Sequence, residues 1–147
     1  MTVKTAEAEL SALLATLEPK ARRQLAVGIA RQLRQSQQKR IADQLNPDGT
    51  AFAPRKPTLR QKQGAIRRQM FSRLRTAKYL KTEASPDAAV VGFISKVGRI
   101  AAVHQYGLRD RVRPGGAEVQ YPARQLLGFT AADYNAISDL VMSHLQD

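Results

Sequence analysis

The spacing of apolar residues between positions 20 and 45 constrains the fold more than any other feature of this chain. Branched aliphatic residues recur there mostly at steps of four, namely Leu25, Ile29, Leu33, Ile41 and Leu45. Gln37 fills the step that they leave open, and the turn sequence Asn46-Pro47-Asp48-Gly49 then stops the pattern. One helix is predicted over residues 20–45, about 39 Å long at about 1.5 Å per residue. Because this is longer than a compact domain of this size needs, part of the helix is expected to project or to pack on another subunit.

Most of the positive charge lies in the same part of the chain. The 147 residues contain 24 Lys plus Arg against 12 Asp plus Glu, a formal net charge of +12. Residues 20–81 hold 17 basic and two acidic residues, whereas residues 1–19 sum to −2 and residues 82–147 to −1. Charge alone fits a solvated surface, a nucleic-acid surface or a site for an acidic protein. The helix side chains that would form a basic partner-binding surface are Arg22, Arg23, Arg31, Arg34, Lys39 and Arg40.

The remaining patterns predict an α+β fold in a single domain, residues 1–147, with helices at both ends. Steps of three and four predict a short N-terminal helix within residues 1–19 and another helix from residue 59 to about residue 78. The capping pattern Thr-Ala-Ala-Asp at residues 130–133 opens a C-terminal helix. The apolar face predicted for this last helix consists of Tyr134, Ile137, Leu140, Val141 and Leu145.

A small antiparallel sheet is expected in the second half of the chain. Residues 79–82 and 89–94 are typical of two strands in a hairpin, joined by a Ser-Pro-Asp turn. Residues 118–121 suit a further strand. Residues 99–106 fit either a short helix or a strand, with the following glycine as a C-cap in the first case.

No residue pattern predicts catalysis, a cofactor or a metal. The chain has no cysteine and two histidines, and neither His104 nor His144 has a ligand motif around it. A metal-dependent nuclease needs clustered carboxylates. Asp43 is instead explained by an ion pair with Lys39 or Arg40, and Asp48 by its place in the turn. His104 is expected to be a buried, hydrogen-bonded structural residue. No apolar run reaches the roughly 18 residues of a membrane span, so no membrane contact is expected.

Four short motifs follow one another between residues 20 and 145. They are Gln38-Lys39-Arg40-Ile41 leading to Asn46-Pro47-Asp48-Gly49-Thr50-Ala51-Phe52; residues 88–93; Ala102-Val103-His104-Gln105-Tyr106-Gly107; and Tyr121-Pro122-Ala123-Arg124 through Leu126-Leu127-Gly128-Phe129. No one of them is distinctive. In this order and at this spacing, however, the chain resembles the tail-completion, or virion morphogenesis, family of contractile-tailed phages.

The resemblance implies a non-enzymatic structural protein of the virion, made in the host bacterial cytoplasm. Such a protein closes a finished tail at its head-proximal end and permits joining to a filled head. Proteins at this neck work as rings, commonly of six subunits, so the implied partners are further copies of the chain and neck, tail-tube or connector proteins. Contact of the basic helix with the end of the packaged DNA is a further expectation. The rival interpretations are a non-specific nucleic-acid-binding module and a chaperone-like assembly factor absent from the finished particle.

Within this family interpretation, residues 108–117 are expected to form a flexible basic loop that faces the tail lumen or a neighbouring subunit. Arg109, Arg111 and Arg113 occupy alternate positions of this segment. Alternate residues of an extended strand share one side, so these three arginines are the candidate contact residues. The alternative is a solvated loop that makes no contact.

Overall fold

Helix α1, Pro19–Ala42, is 24 residues long and occupies most of the segment in which the sequence predicts a helix. It ends three residues before the predicted Leu45 because Gln44 has a left-handed φ of 59°, outside the range of an α-helix. The N–H of Gln44 donates to the carbonyl of Ile41 at 2.9 Å, and that of Leu45 to the carbonyl of Arg40 at 3.2 Å. These two bonds close the helix in the manner usually associated with a glycine. A glutamine at that position gives no such signal in the sequence.

The computed structural model describes residues 14–55 and 69–146. The N-terminal helix predicted within residues 1–19 lies largely outside the described residues. Its described end is helical at Leu14 and Ala15, and the chain then turns before α1 begins.

Residues 69–79 form a run of turns, so the helix predicted from residue 59 is wrong over its described part. Phe71 has a left-handed φ of 66°, which the interior of an α-helix does not contain. Its ring packs edge-on against the ring of Phe52, at a centroid distance of 5.7 Å, and against that of His104, at 4.8 Å. Packing of this side chain therefore outweighs the helical spacing of its neighbours.

The predicted hairpin forms from strands β1, Leu80–Ala84, and β2, Ala89–Phe93. In its turn, the N–H of Ser85 donates to the carbonyl of Ala88 at 2.8 Å. The Ser85 hydroxyl in turn accepts hydrogen bonds from the N–H groups of Asp87 and Ala88. The serine thus organises the turn, as serine commonly does in such sequences.

The segment that fitted either a helix or a strand is helical, and it belongs to α2, Ser95–Tyr106. Gly107 ends α2 with a left-handed φ of 65°. A Cβ atom at this position would lie 2.9 Å from the backbone nitrogen of Ala123. Both the backbone conformation and the close approach therefore require glycine.

Residues 108–117, expected as a flexible loop, begin with a strand. Strand β3, Arg109–Arg111, pairs antiparallel with β4, Glu118–Gln120, and Asp110 lies opposite Val119. The alternating charges of this stretch therefore belong to an exposed two-stranded ribbon, and the irregular part is confined to its tip.

The predicted C-terminal helix forms as α3, Ala131–Gln146. Val141 is 3% exposed, and the other inward-facing members of the expected apolar face are half-buried, namely Ile137, Leu140 and Leu145. Tyr134 is a correction to that face, because 59% of its surface is exposed.

The chain divides into two compact units. The described parts of the first are residues 14–34, 82–91 and 131–146, and its buried apolar side chains are Leu25, Ala26, Ala30, Leu33 and Val141. The described parts of the second are residues 35–55, 69–81 and 92–130, in which Ile41, Phe52, Ala101 and Leu126 form a buried cluster. In neither unit do the described residues include a helix long and apolar enough to cross a bilayer.

The predicted α+β class is confirmed. Within the described residues the protein has three helices and two small antiparallel sheets of two strands each. The prediction of one domain over residues 1–147 stays a prediction.

Candidate interaction site

Arg40 fixes the irregular segment 121–129 to the end of α1. The arginine lies in the last turn of α1 and is 7% exposed. Its guanidinium donates four hydrogen bonds of 2.6–2.8 Å, to the carbonyl oxygens of Leu45, Gln125 and Leu126 and to the side-chain oxygen of Gln37. A planar fork with several donors suits converging carbonyl oxygens, which a lysine ammonium could not match.

Two glutamines hold the same segment by pairing with its backbone. Gln37 donates to the carbonyl of Gly128 at 2.9 Å and accepts from the N–H of Gly128 at 3.1 Å. Gln105, on α2, does the same with Leu127, at 2.8 Å and 2.9 Å. Each side-chain amide therefore replaces a neighbouring strand and satisfies backbone groups that would otherwise be buried without partners.

Arg124 joins the segment to the loop after the Asn46-Pro47-Asp48-Gly49 turn. Arg124 is buried, with 5% of its surface exposed. Nε donates to the carbonyl of Ala53 at 2.7 Å and Nη2 to that of Pro54 at 3.1 Å. Burial lowers the pKa of this guanidinium, and the nearby charge of Arg55 adds to the effect, although an arginine stays charged in a protein.

His104 is the half-buried partner of Arg124. Its Nδ1 lies 3.2 Å from Nη1 of Arg124, and since arginine can only donate, Nδ1 must be the unprotonated acceptor. Burial, followed by the charge of Arg124, lowers the pKa of His104 from 6.5 to about 4. The ring also stacks edge-on against Tyr121 at 5.1 Å. His104 is therefore a neutral structural residue at neutral pH, and in residues 14–55 and 69–146 no cluster of His, Cys, Asp or Glu could hold a metal ion.

The lowered pKa of His104 predicts a loss of stability in acid. Between pH 6.5 and about 4 the unfolded chain binds a proton that the folded chain does not, so the stabilisation is complete above that range and is lost as the pH falls through it. Allowing for partial exposure, we expect a decrease of about 1–2 kcal/mol. Urea unfolding at several pH values measures it. His104→Gln should flatten this part of the pH dependence, whereas an unchanged slope in His104→Gln, or a slope lost in the control His144→Gln, would contradict the assignment.

Three of the four motifs that carry the family resemblance meet in these contacts. The first supplies Arg40, the third supplies His104 and Gln105, and the fourth is the segment 121–129 itself. Their residues bond one another inside the second unit, so their task is to build the unit. The side chains that make these bonds are therefore occupied within the unit, and binding surfaces must be sought among the exposed residues around them.

A cavity of about 850 Å³ opens beside this framework. Its described walls are mostly aliphatic and aromatic, with Phe71, Leu74, Ile100 and Tyr121 among them. The charged residues in the described lining are the arginines Arg55, Arg73 and Arg124, with no Asp or Glu. The cavity thus combines an apolar interior with a positive edge, as protein and ligand sites commonly do.

The three arginines predicted to make contacts in residues 108–117 lie on the ribbon of β3 and β4 and at its tip. Arg109 and Arg111 are exposed on one side of β3, Arg109 being 3.4 Å from the carboxylate of Glu118. On the other side, Asp110 binds Arg99 at 2.6 Å, and this hydrogen bond lowers the pKa of Asp110. Arg113 is exposed at the tip. Their role in contacts stays a prediction.

The basic residues of α1 differ in exposure, although the sequence predicts that they form one exposed surface. Arg23, Arg31 and Lys39 are exposed, and Arg22 and Arg34 are half-buried. The prediction for Arg40 is wrong. Its guanidinium is buried and donates to carbonyl oxygens, so Arg40 cannot belong to an exposed partner-binding surface. Lys39 forms the predicted ion pair with Asp43 at 3.0 Å. A binding role for the exposed members stays a prediction.

The chain is similar to a known protein family and to a curated phage protein. The model of the phage virion morphogenesis family matches residues 1–146. Tail completion protein S of Escherichia phage P2 is 43% identical to this chain over 145 residues, which are 97% of each chain. No solved structure matches.

Proposed function

Because the chain belongs to the phage virion morphogenesis family, we propose that it is a structural protein of the virion that completes the tail at its head-proximal end and enables head-tail joining. The observation that carries this proposal is the 43% identity to a tail completion protein over 97% of both chains. The matched region covers almost the whole chain and so includes every segment that contributes to the framework described above. The chain therefore acts by binding other virion proteins, and we propose no catalytic step for it.

The same proposal includes a ring at the neck, commonly sixfold in proteins of this kind, built from head-to-tail contacts. Four large apolar side chains of the second unit support such contacts because more than half of each is exposed, namely Ile100, Tyr106, Val112 and Phe129. Apolar surface of this kind is commonly covered in an assembly. The neighbours proposed for the ring are tail-tube and connector proteins.

Electron microscopy of lysates tests this role directly. A phage with an early stop codon in this gene is expected to give separate filled heads and tails that are unjoined or overlong. Normal joined particles would refute tail completion, and salt-dependent binding of the purified protein to random duplex DNA would then favour a non-specific nucleic-acid-binding module. Mass spectrometry of purified virions, in which the protein is expected, separates a structural component from an assembly factor that leaves.

Replacing Arg109, Arg111 and Arg113 together with glutamate is expected to abolish head-tail joining while leaving the circular dichroism spectrum unchanged. All three side chains are exposed, so the change inverts the charge of the ribbon without opening a core. Phage titre is the measurement. The matched control changes three exposed lysines elsewhere, Lys78, Lys81 and Lys96, to glutamate. An unchanged titre in the arginine variant would remove the ribbon from the contact.

A further inference from the structure

The cavity of the second unit has the features of a docking site. Ile100 and Val112 belong to its lining, and 54% and 55% of their surfaces are exposed. Apolar side chains left in water beside a concave apolar surface commonly mark a place that a partner covers. A volume of about 850 Å³ is sufficient for more than one large side chain.

The charge of the cavity restricts what can enter it. Arg55, Arg73 and Arg124 are in its described lining, without an acidic residue. A segment that carries lysine or arginine would be repelled, whereas an apolar segment with a carboxylate would be attracted. Much of this chain is strongly basic, since residues 20–81 hold 17 basic and two acidic residues. Only a segment of a second copy that lacks this excess of lysine and arginine could therefore enter the cavity.

Helix α3 is such a segment. Residues 125–147 contain three aspartates and no lysine or arginine. On the outer surface of α3, Tyr134 is 59% and Met142 50% exposed. The two are eight residues apart, about 12 Å along the axis, and lie on neighbouring parts of one side of the helix. Asp139 is exposed as well, one turn before Met142.

We propose that the outer surface of α3 of one copy docks into the cavity of a second copy. Tyr134 and Met142 enter between the apolar walls, as anchors of a helix in a groove, and Asp139 meets Arg73 at the edge. The inference rests on the proposed function, for which it supplies the contact between subunits. Because the two surfaces differ and each copy has both, the contact repeats from copy to copy and can close into a ring.

One helix in one groove is a small interface, below the about 1,200 Å² of total buried area typical of stable complexes. The contact is therefore expected to form on the tail, where the template holds the copies at high local concentration. A monomer in dilute solution is consistent with it. The test must accordingly be made on assembled tails.

The absence of cysteine from the chain allows a clean crosslinking experiment. A phage carrying Ile100→Cys and Met142→Cys is grown, its tails are purified and oxidised, and the protein is detected by antibody on a non-reducing gel. A ladder from dimer upward is expected from the double variant, and at most a dimer from either single variant. The matched control pairs Ile100→Cys with Val90→Cys, another exposed apolar position at 46%, and should give no ladder.

The outcomes separate this contact from the proposed function. Joined particles that contain the protein but give no ladder would overturn the contact and leave tail completion intact. Crosslinks from Ile100→Cys to a different virion protein would assign the cavity to that protein instead. Joined, functional particles that lack the protein would overturn tail completion itself.

A charge exchange gives a second measurement that does not depend on cysteines. Arg73→Asp and Asp139→Arg should each weaken the contact by about tenfold and lower the titre, and the double variant should restore it. Combining two substitutions that each unfold the protein could not restore the titre. A double variant as poor as the worse single variant would overturn the pairing of Arg73 with Asp139.

Discussion

Substituting methionine for Arg40 is expected to lower the free energy of unfolding by about 3–5 kcal/mol. Methionine extends along a similar path but has no donors. The carbonyl oxygens of Leu45, Gln125 and Leu126 would then lose the hydrogen bonds that Arg40 gives them. A buried acceptor left without a donor costs about 1–3 kcal/mol, and entering water recovers part of this. Urea unfolding of the purified protein, followed by circular dichroism, measures the difference.

Lys39→Met is the matched control, because it removes the same charge at the adjacent position of the same helix. The Lys39 side chain is 79% exposed, and its ion pair with Asp43 lies at the surface, so a loss below about 1 kcal/mol is expected. Arg40→Lys keeps the charge but not the planar fork. Its loss of unfolding free energy should therefore lie between those of Arg40→Met and Lys39→Met. Equal unfolding midpoints for Arg40→Met and Lys39→Met would show that Arg40 does not hold the segment.

The elements that the sequence predicts correctly are those decided by neighbouring residues. The turn at Asn46-Pro47-Asp48-Gly49 forms with a 2.9 Å bond from the N–H of Gly49 to the carbonyl of Asn46. A proline and a glycine at these positions suffice to predict it. The hairpin around Ser85 and the start of α3 after Thr130 are equally local. Distance along the chain plays no part in them.

The predictions that fail are those decided by distant residues. Phe71 leaves the helical region because its ring packs between those of Phe52 and His104, which are 19 and 33 positions away. The sequence predicts that Arg40 is exposed beside Lys39, since nothing local distinguishes two adjacent basic residues at the end of a helix. Its acceptors Gln125 and Leu126 are 85 and 86 positions later. Only the folded second unit brings them together.

The framework of the candidate site shows the same limit. In the sequence, Gln37 is a polar residue at a position of α1 where the pattern requires an apolar one. The structure shows that its side chain is buried like its apolar neighbours, with 3% of its surface exposed. The sequence could not show that Gln37 pairs with Gly128, 91 positions away. It also could not show the cavity, whose described lining comes from four separate parts of the chain. A polar residue in an apolar row is therefore a signal that a buried partner exists, without identifying the partner.

Leu126→Ala is expected to lower the free energy of unfolding by about 2–5 kcal/mol. Leu126 is completely buried and packs in the cluster with Ile41, Phe52 and Ala101. Its carbonyl is held by Arg40 at 2.7 Å, so the backbone cannot move inward to fill the space that the missing side chain leaves. A site that cannot collapse retains most of its cavity, which places the expected loss in the upper half of this range.

Leu127→Ala is the matched control for this change, with the same atoms removed at the next position. Leu127 is only half-buried, and its backbone is held by Gln105 in much the same way. The expected loss is less than half that of Leu126→Ala, measured by urea unfolding. Similar losses would mean that segment 121–129 is not fixed with Leu126 inward. A large difference would show that Leu126, and not the identical residue beside it, fills the core of the second unit.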